Sequence, residues 1–305
     1  MSAWNKLKLL TLISTITMPL AFAASNSSMP LISESSTTYQ AKFTQLESNA
    51  NGRLGIMAIN TANNQQIEYR SNELFPFCST GKVMVVGAIL KASESNTQLM
   101  QRQLHYSKQD TESSGYAPIT KQHIADGMNV SALSQAAIAY SDNGAMNQLL
   151  QLLGGPQAIT SYARSLGDNK FNLVRTEPQL NTAIPNDERD TTTPAAMALS
   201  LQKLGLGTAL DKKQQTRLQE WLKANTTGDK RIRAGVPKGW TVGDKTGTGS
   251  YGTTNDIAVI WPPHAKPIVL VVYFTQNKKD AKPNDQVIAQ ATKIVIDEFA
   301  TASKK

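Results

Sequence analysis

Apolar and polar residues alternate along this chain in two periods, and the order in which the periods appear outlines a fold. From Gln40 to Ala50 the apolar positions recur at helical spacing. Arg53 to Asn60 and Gln66 to Tyr69 then read as two strands joined by the turn Thr61-Ala-Asn-Asn64. Helical spacing takes over in the middle, predicting helices over 80–92, 131–140, 143–153, 156–166, 194–204 and 212–224. Strands return over 240–245, 255–261 and 267–274, and a last helix is predicted over 284–302. An α/β fold of two lobes answers that order: an antiparallel sheet built from both chain ends and flanked by helices, with an all-helical lobe inserted between them. The α/β lobe is expected to be discontinuous (25–75 with 225–305) and the helical lobe to span 76–224. An active site is expected where the two meet. No internal repeat competes with this outline.

The first two dozen residues fall outside the pattern. Lys6 and Lys8 precede a largely apolar run from Leu9 to Phe22, and Ala21-Phe22-Ala23 supplies a small-x-small cleavage site. Residues 1–24 therefore read as a secretory signal peptide, too short in its apolar run for a comfortable membrane span. The mature protein is expected in the periplasm, without stable membrane association and as a monomer. The stretch Ser25 to Thr38, rich in Ser and Thr, reads as a flexible leader.

At 305 residues, 40% hydrophobic and 18% charged, the chain has material for a large core. Its net charge of +8 raises the question of nucleic acid. However, basic clusters such as Lys230-Arg231 and Lys278-Lys279 are short, and no aromatics interleave with them as on a base-stacking platform. The charge suits small anionic partners better. The single cysteine, Cys78, excludes an intramolecular disulfide and reads as a small buried residue at a helix entry.

Three short motifs carry the candidate chemistry. Ser79-Thr-Gly-Lys82 puts a hydroxyl and an amine on one face at a helix N-terminus, where the dipole favours developing negative charge. Ser141-Asp-Asn143 follows a helix, and taken alone reads as an N-cap for the next one. Lys245-Thr-Gly247 ends a predicted strand, and taken alone reads as a turn with an exposed lysine. Each motif is weak by itself. The ordered set S-x-x-K, S-D-N, K-T-G is the signature of class A β-lactamases and penicillin-binding proteins.

On these residues the chain resembles a class A serine β-lactamase over nearly all of its mature length. It is most similar to the cefotaxime-hydrolysing, extended-spectrum branch through Arg175-Thr-Glu-Pro-Gln-Leu-Asn-Thr-Ala-Ile-Pro185 and Tyr251-Gly-Thr-Thr-Asn-Asp-Ile-Ala-Val-Ile-Trp261. The resemblance implies the two-lobed fold of β-lactamases and transpeptidases, and hydrolysis of penicillins and cephalosporins through an acyl-enzyme on Ser79. By the same resemblance Glu177 is the general base for the deacylating water, with Asn181 assisting. Backbone N–H groups of Ser79 and Thr248 form the oxyanion hole, and the acylation base is either Lys82 or Glu177. Ser141 passes a proton to the leaving nitrogen, its hydroxyl held by Lys245 and Lys82. Asn143 binds the substrate's side-chain amide, Thr246 and Thr248 with Gly247 between them bind its carboxylate beside Lys245, and Tyr116 walls the cleft. Arg175 and Asp190 close the neck of the loop that carries Glu177.

The chain also departs from its branch. The arginine that serves the substrate carboxylate there falls near Asn284-Asp285, and neither can replace it. Arg231 is the candidate substitute, against the reading of a surface arginine in a basic turn beside Arg233. Gly249 stands where some carbapenem-hydrolysing relatives carry a cysteine that pairs with the one at the place of Cys78. Gly247 to Gly252 is formally G-x-G-x-x-G, but a strand and not a helix follows, so dinucleotide binding is rejected. His105, His123 and His264 have no metal-ligand spacing, and neither a metal nor a cofactor is implied. Two alternatives remain at this point. A D-alanyl transpeptidase or carboxypeptidase would lack the Glu177 water site. A non-catalytic β-lactam sensor would stay acylated and normally adjoin a membrane-spanning signalling region.

Overall fold

Helix α1 (Glu34–Asn49) opens the described part of the computed structural model, which covers residues 34–302. The signal-peptide reading of 1–24 and most of the leader lie outside the described residues. The leader's end departs from expectation, because residues from Glu34 onward are already helical and continuous with the Phe43–Leu46 face that packs on the sheet. Strands β1 (Gly52–Asn60) and β2 (Gln65–Tyr69) follow as an antiparallel pair.

The chain then leaves the sheet. Its excursion comprises β3 (Phe75–Pro76), α2 (Lys82–Ser95), β4 (Gln103–Leu104), α3 (Lys108–Ser113), β5 (Met128–Asn129), α4 (Val130–Ala139), α5 (Asn143–Leu152), α6 (Pro156–Ser165), β6 (Thr191–Thr192), α7 (Pro194–Gly205) and α8 (Lys212–Lys223). After the single turn α9 (Ile232–Gly235) it returns as β7 (Thr241–Thr248), β8 (Thr254–Trp261) and β9 (Ile268–Gln276), and closes with α10 (Asp285–Ala302). The sheet order is β2-β1-β9-β8-β7, antiparallel throughout. The first and last segments of the chain therefore lie side by side, as the order of periods required.

The sheet is buried on both faces, and alternation along each strand divides the core in two. Met57, Ile59, Ile257, Val259, Val269, Val271 and Tyr273 point into the helical lobe. Leu54, Ile56, Ala258, Ile260, Leu270, Val272 and Phe274 point to α1 and α10. Within the helical lobe α2 is buried from Lys82 through Leu90, so it is apolar nearly all round and serves as the lobe's axis. Lys82 is the one charged residue on that buried stretch.

Two local corrections bear on the site. The strand predicted to end at Lys245 runs on to Thr248, since residues 245–248 pair in register with 254–257 of β8. The K-T-G residues thus belong to a strand and not to a turn, which fixes their spacing rigidly. The helix predicted from Thr80 is preceded by a 3-10 turn, Cys78–Gly81, that delivers Ser79 onto α2.

Candidate active site

Ser79 is held by its neighbours' packing. Phe77 stacks on Phe171 with ring centres 4.7 Å apart, and Thr80 Oγ1 donates to the Phe77 carbonyl at 2.8 Å. Cys78, between them, adopts φ +50°, a conformation that a non-glycine residue takes only when its surroundings impose it. Its thiol is buried, and burial pushes its pKa up, which disfavours the reactive thiolate. Lys82, one turn along, donates to Ser79 Oγ at 2.7 Å. The same ammonium lies 2.8 Å from Glu177 Oε1, 2.7 Å from Asn143 Oδ1 and 3.0 Å from the Ser141 carbonyl oxygen. Fully buried, it is tolerated because each of its donors meets an oxygen.

Ser141-Asp-Asn143 does both of the things its sequence allowed. Asp142 caps α5 by accepting from the Ala145 amide, and it also accepts from Thr120 Oγ1 and the Ile119 and Thr120 amides. That buried carboxylate ties the segment to the 119–120 turn and leaves Ser141 at φ +57°. Ser141 Oγ then stands between two ammonium groups, 2.9 Å from Lys245 Nζ and 3.5 Å from Lys82 Nζ. Asn143 is also held through its amide, which donates to the Tyr116 carbonyl, and through Nδ2, which donates to the Ser114 carbonyl. The Tyr116 ring itself is 57% exposed, so only its backbone is fixed to the site.

The loop that follows Phe171 brings the carboxylate. Ser79 Oγ approaches Glu177 Oε1 at 3.3 Å, while Asn181 Nδ2 donates to Glu177 Oε2 at 2.5 Å. The Asn181 Oδ1 atom is buried without a protein partner. Polar tethers hold the loop. Asp190, wholly buried, accepts from the Val174 and Arg175 amides and from Arg175 Nε at 2.5 Å, and Arg175 Nη1 also donates to Thr182 Oγ1. Asn147 brackets the Glu177 backbone, accepting from its N–H at 3.0 Å and donating to its carbonyl at 2.9 Å. Opposite, Ser250 N donates to the Asn181 carbonyl at 2.9 Å. A Cβ on Gly249 would sit 2.6 Å from that carbonyl oxygen and 2.7 Å from Cys78 Sγ, so glycine lets the loop and β7 close on each other.

The β7 wall is cationic. Lys245 donates to the Thr246 carbonyl as well as to Ser141, and it is fully buried. Burial, helped by the nearby Lys82 charge, holds it well below the usual lysine range, against the pull of Asp244, Asp256 and Glu177. Burial also raises both aspartates, Asp256 the more, with the Asp244 charge adding to its shift. Arg231 is only 7% exposed, which removes the surface-turn reading. It donates to the Gly247 and Asn255 carbonyls and to Thr248 Oγ1, each at 2.8 Å, and its Nε donates to Asp285 Oδ1 at 2.7 Å. Asp285, at the position that could not replace the missing arginine, is thus the ion-pair partner of Arg231.

Ser79, Lys82, Ser141, Asn143, Glu177, Asn181 and Lys245 are thus linked by contacts in one cluster, and Thr246, Gly247, Thr248 and Arg231 continue it along β7. Tyr116 joins through its backbone alone. The sequence reading missed Asn147 and Asp285. Asn147 lies four residues beyond Asn143, on the same face of α5, and that spacing was the available signal. Among the described residues no group of three or more His, Cys, Asp or Glu side chains could hold a metal ion.

Residues 38–299 match the family described as the β-lactamase enzyme family. β-Lactamase OXY-2 of Klebsiella oxytoca is 51% identical over 294 residues, covering 96% of this chain and 98% of that protein. β-Lactamase CTX-M-97 of Escherichia coli is 50% identical, covering 93% and 95% respectively. The crystal structure of a β-lactamase from Desulfarculus baarsii superposes with a TM-score of 0.85 at 48% identity, covering 87% of this chain and 98% of that one. Fold, clustered motifs and near-complete coverage agree, and the chain belongs to the β-lactamase enzyme family.

Proposed function

We propose that this protein is a class A serine β-lactamase, hydrolysing the ring amide of penicillins and cephalosporins, oxyimino cephalosporins included, and so conferring resistance to them. Ser79 Oγ attacks the lactam carbonyl. Its proton leaves through water to Glu177, or to Lys82 once that ammonium has passed a proton to the Glu177 carboxylate 2.8 Å away. Backbone N–H groups of Ser79 and Thr248 receive the developing oxyanion. As the tetrahedral intermediate collapses, the C–N bond breaks and Ser141 gives its proton to the nitrogen. The proton taken from Ser79 returns through Lys82 to the Ser141 oxygen, 3.5 Å away, while the Lys245 ammonium at 2.9 Å stabilises the charge on that oxygen.

Deacylation turns on Glu177. One carboxylate oxygen faces Ser79 Oγ while Asn181 holds the other, so a water between serine and loop meets a base and an amide together. This pairing is the single observation that carries the hydrolase reading over a transpeptidase or a persistent sensor. Asn143 orients the substrate's side-chain amide, Tyr116 borders the cleft, and Thr246, Gly247 and Thr248 with Lys245 and Arg231 receive its carboxylate. The lobes 25–75 with 225–305, and 76–224, place this cleft between them. Residues 1–24 direct export to the periplasm, where the mature protein acts as a monomer and no cofactor takes part.

The test is mass spectrometry of the mature protein during reaction with a chromogenic cephalosporin. Turnover without an accumulated adduct is expected. A persistent one-to-one adduct would assign the protein to the transpeptidase or sensor class.

A further inference from the structure

The two threonines that flank Gly247 look equivalent in sequence, but the hydrogens around them are not disposed alike. Thr248 Oγ1 accepts from Arg231 Nη2 at 2.8 Å, so its own hydroxyl hydrogen is free for another acceptor. Thr246 Oγ1 has a different neighbour, Thr227 Oγ1, at 2.5 Å.

The direction of that short contact follows from what lies behind it. Thr227 Oγ1 is also 2.9 Å from Asn225 Oδ1. The Asn225 amide cannot be reversed, because the Thr227 backbone N–H donates to Oδ1 at 3.2 Å and Nδ2 faces Asp244 Oδ2. An amide oxygen carries no hydrogen, so Thr227 must donate its only hydroxyl hydrogen to Asn225. Two oxygens at 2.5 Å with no hydrogen between them repel, and the second contact therefore takes its hydrogen from Thr246. Asp244, Asn225, Thr227 and Thr246 form one polarised chain, with every donor aimed away from the cleft.

We propose that Thr227 is a positioning residue for substrate recognition, holding the Thr246 hydroxyl hydrogen out of the cleft so that Thr248, and not Thr246, is the resting donor to the substrate carboxylate. For Thr246 to donate to a bound carboxylate its hydrogen must swing round. The Thr227–Thr246 contact would then lose its hydrogen, or Thr227 would have to abandon Asn225. Part of the binding gain at Thr246 is spent on that reversal. This inference rests on the placement of the substrate carboxylate beside Thr246 and Thr248 proposed above.

The experiment measures KM and kcat of the mature enzyme for a chromogenic cephalosporin and for its uncharged carboxylate methyl ester. Thr227→Val keeps the shape and removes the acceptor, freeing the Thr246 hydrogen. Its KM for the acid is expected to fall about fivefold, the worth of roughly one neutral hydrogen bond. Its kcat and its KM for the ester are expected to stay near the parent's. Thr227→Ser, which restores the hydroxyl, is expected to behave as the parent. If the valine variant does not accumulate as folded protein, Thr227→Ala reads the same difference. An unchanged or raised KM for the acid in the valine variant overturns the relay. Thr248→Val, which removes the resting donor, separates the two levels: if it too leaves the acid-to-ester ratio unchanged, the placement of the carboxylate itself is wrong. If it moves that ratio while Thr227→Val does not, the placement stands and the relay alone falls.

Discussion

The two walls of the cleft both present a buried lysine, yet they are built to opposite ends. On the α2 side Lys82 is surrounded by acceptors and paired at 2.8 Å with the Glu177 carboxylate, so its charge is consumed inside the wall. On the β7 side Lys245 has only hydroxyl and carbonyl oxygens as direct partners, with its aspartates on the strands behind, and Arg231 extends the positive face. An internally neutralised wall can move protons, because charge shifts there without a large change in field. An under-neutralised wall attracts an anion and holds it. Changes on the first wall are therefore expected in kcat, and changes on the second in KM.

The largest effect belongs to Glu177→Ala. Removing the base is expected to slow deacylation by about 10²- to 10⁴-fold, so that mass spectrometry finds the acyl-enzyme on Ser79 accumulated. Normal turnover in this variant would take Glu177 out of the mechanism and dissolve the contrast between the walls. Asp190→Asn comes next. It breaks a pair whose carboxylate is wholly buried but whose arginine is 18% exposed, which reduces the usual cost of a broken buried pair to about 2–3 kcal/mol, felt within the loop. Stopped-flow kinetics should show deacylation impaired more than acylation, and hydrogen exchange should quicken in residues 174–190. Equal loss of both steps would mean that the loop supports Ser79 as well.

The second wall answers through binding. Arg231→Ala is expected to raise KM for carboxylate-bearing substrates by about 10- to 100-fold, the range of a charge-assisted hydrogen bond, with a smaller change in kcat. An unchanged KM would leave Arg231 as a brace between β7 and β8 and nothing more. Lys245 makes the same point through pH. Because its pKa is held below the lysine range, its charge is complete in acid and lost as pH rises. KM for a carboxylate substrate should climb on the alkaline side, starting below the ordinary lysine pKa of about 10.4. A methyl ester substrate should show no such limb.

How much of this was legible in the sequence differs between the walls. The order of periods placed the strands and the long helices, since a buried two-sided sheet and an apolar helix both leave strong patterns. Ser79, Lys82, Ser141 and Lys245 were readable only through the resemblance carried by the ordered set S-x-x-K, S-D-N, K-T-G, each motif being weak alone. Glu177 and Asn181 came from resemblance, because a loop has no period to betray which of its carboxylates faces inward. Tethers across sequence left no local signal at all. Asn147 and Glu177 are 30 residues apart, Arg231 and Asp285 are 54 apart, and only the fold brings each pair together. The end of β7 was misjudged for a similar reason. Gly247 reads as a turn residue, whereas here it permits close approach: a Cβ would lie 2.7 Å from the Phe77 carbonyl oxygen.

The Arg231–Asp285 pair gives the finest test of the contrast. Asp285 opens α10, and its carboxylate withdraws part of the Arg231 charge from the cleft at 2.7 Å. An asparagine keeps an oxygen for Nε while cancelling the counter-charge, so Asp285→Asn should leave the guanidinium in place and make it a stronger anion site. The carboxylate is 39% exposed, and solvent screening limits the coupling to the range of a surface pair, about 0.2–1 kcal/mol. KM for a carboxylate substrate is therefore expected to fall by no more than about fivefold, with kcat unchanged and the gain shrinking as salt is raised. A rise in KM would show instead that Asp285 is needed to hold Arg231 in position. The β7 wall would then depend on its counter-charges as closely as the α2 wall does on Glu177.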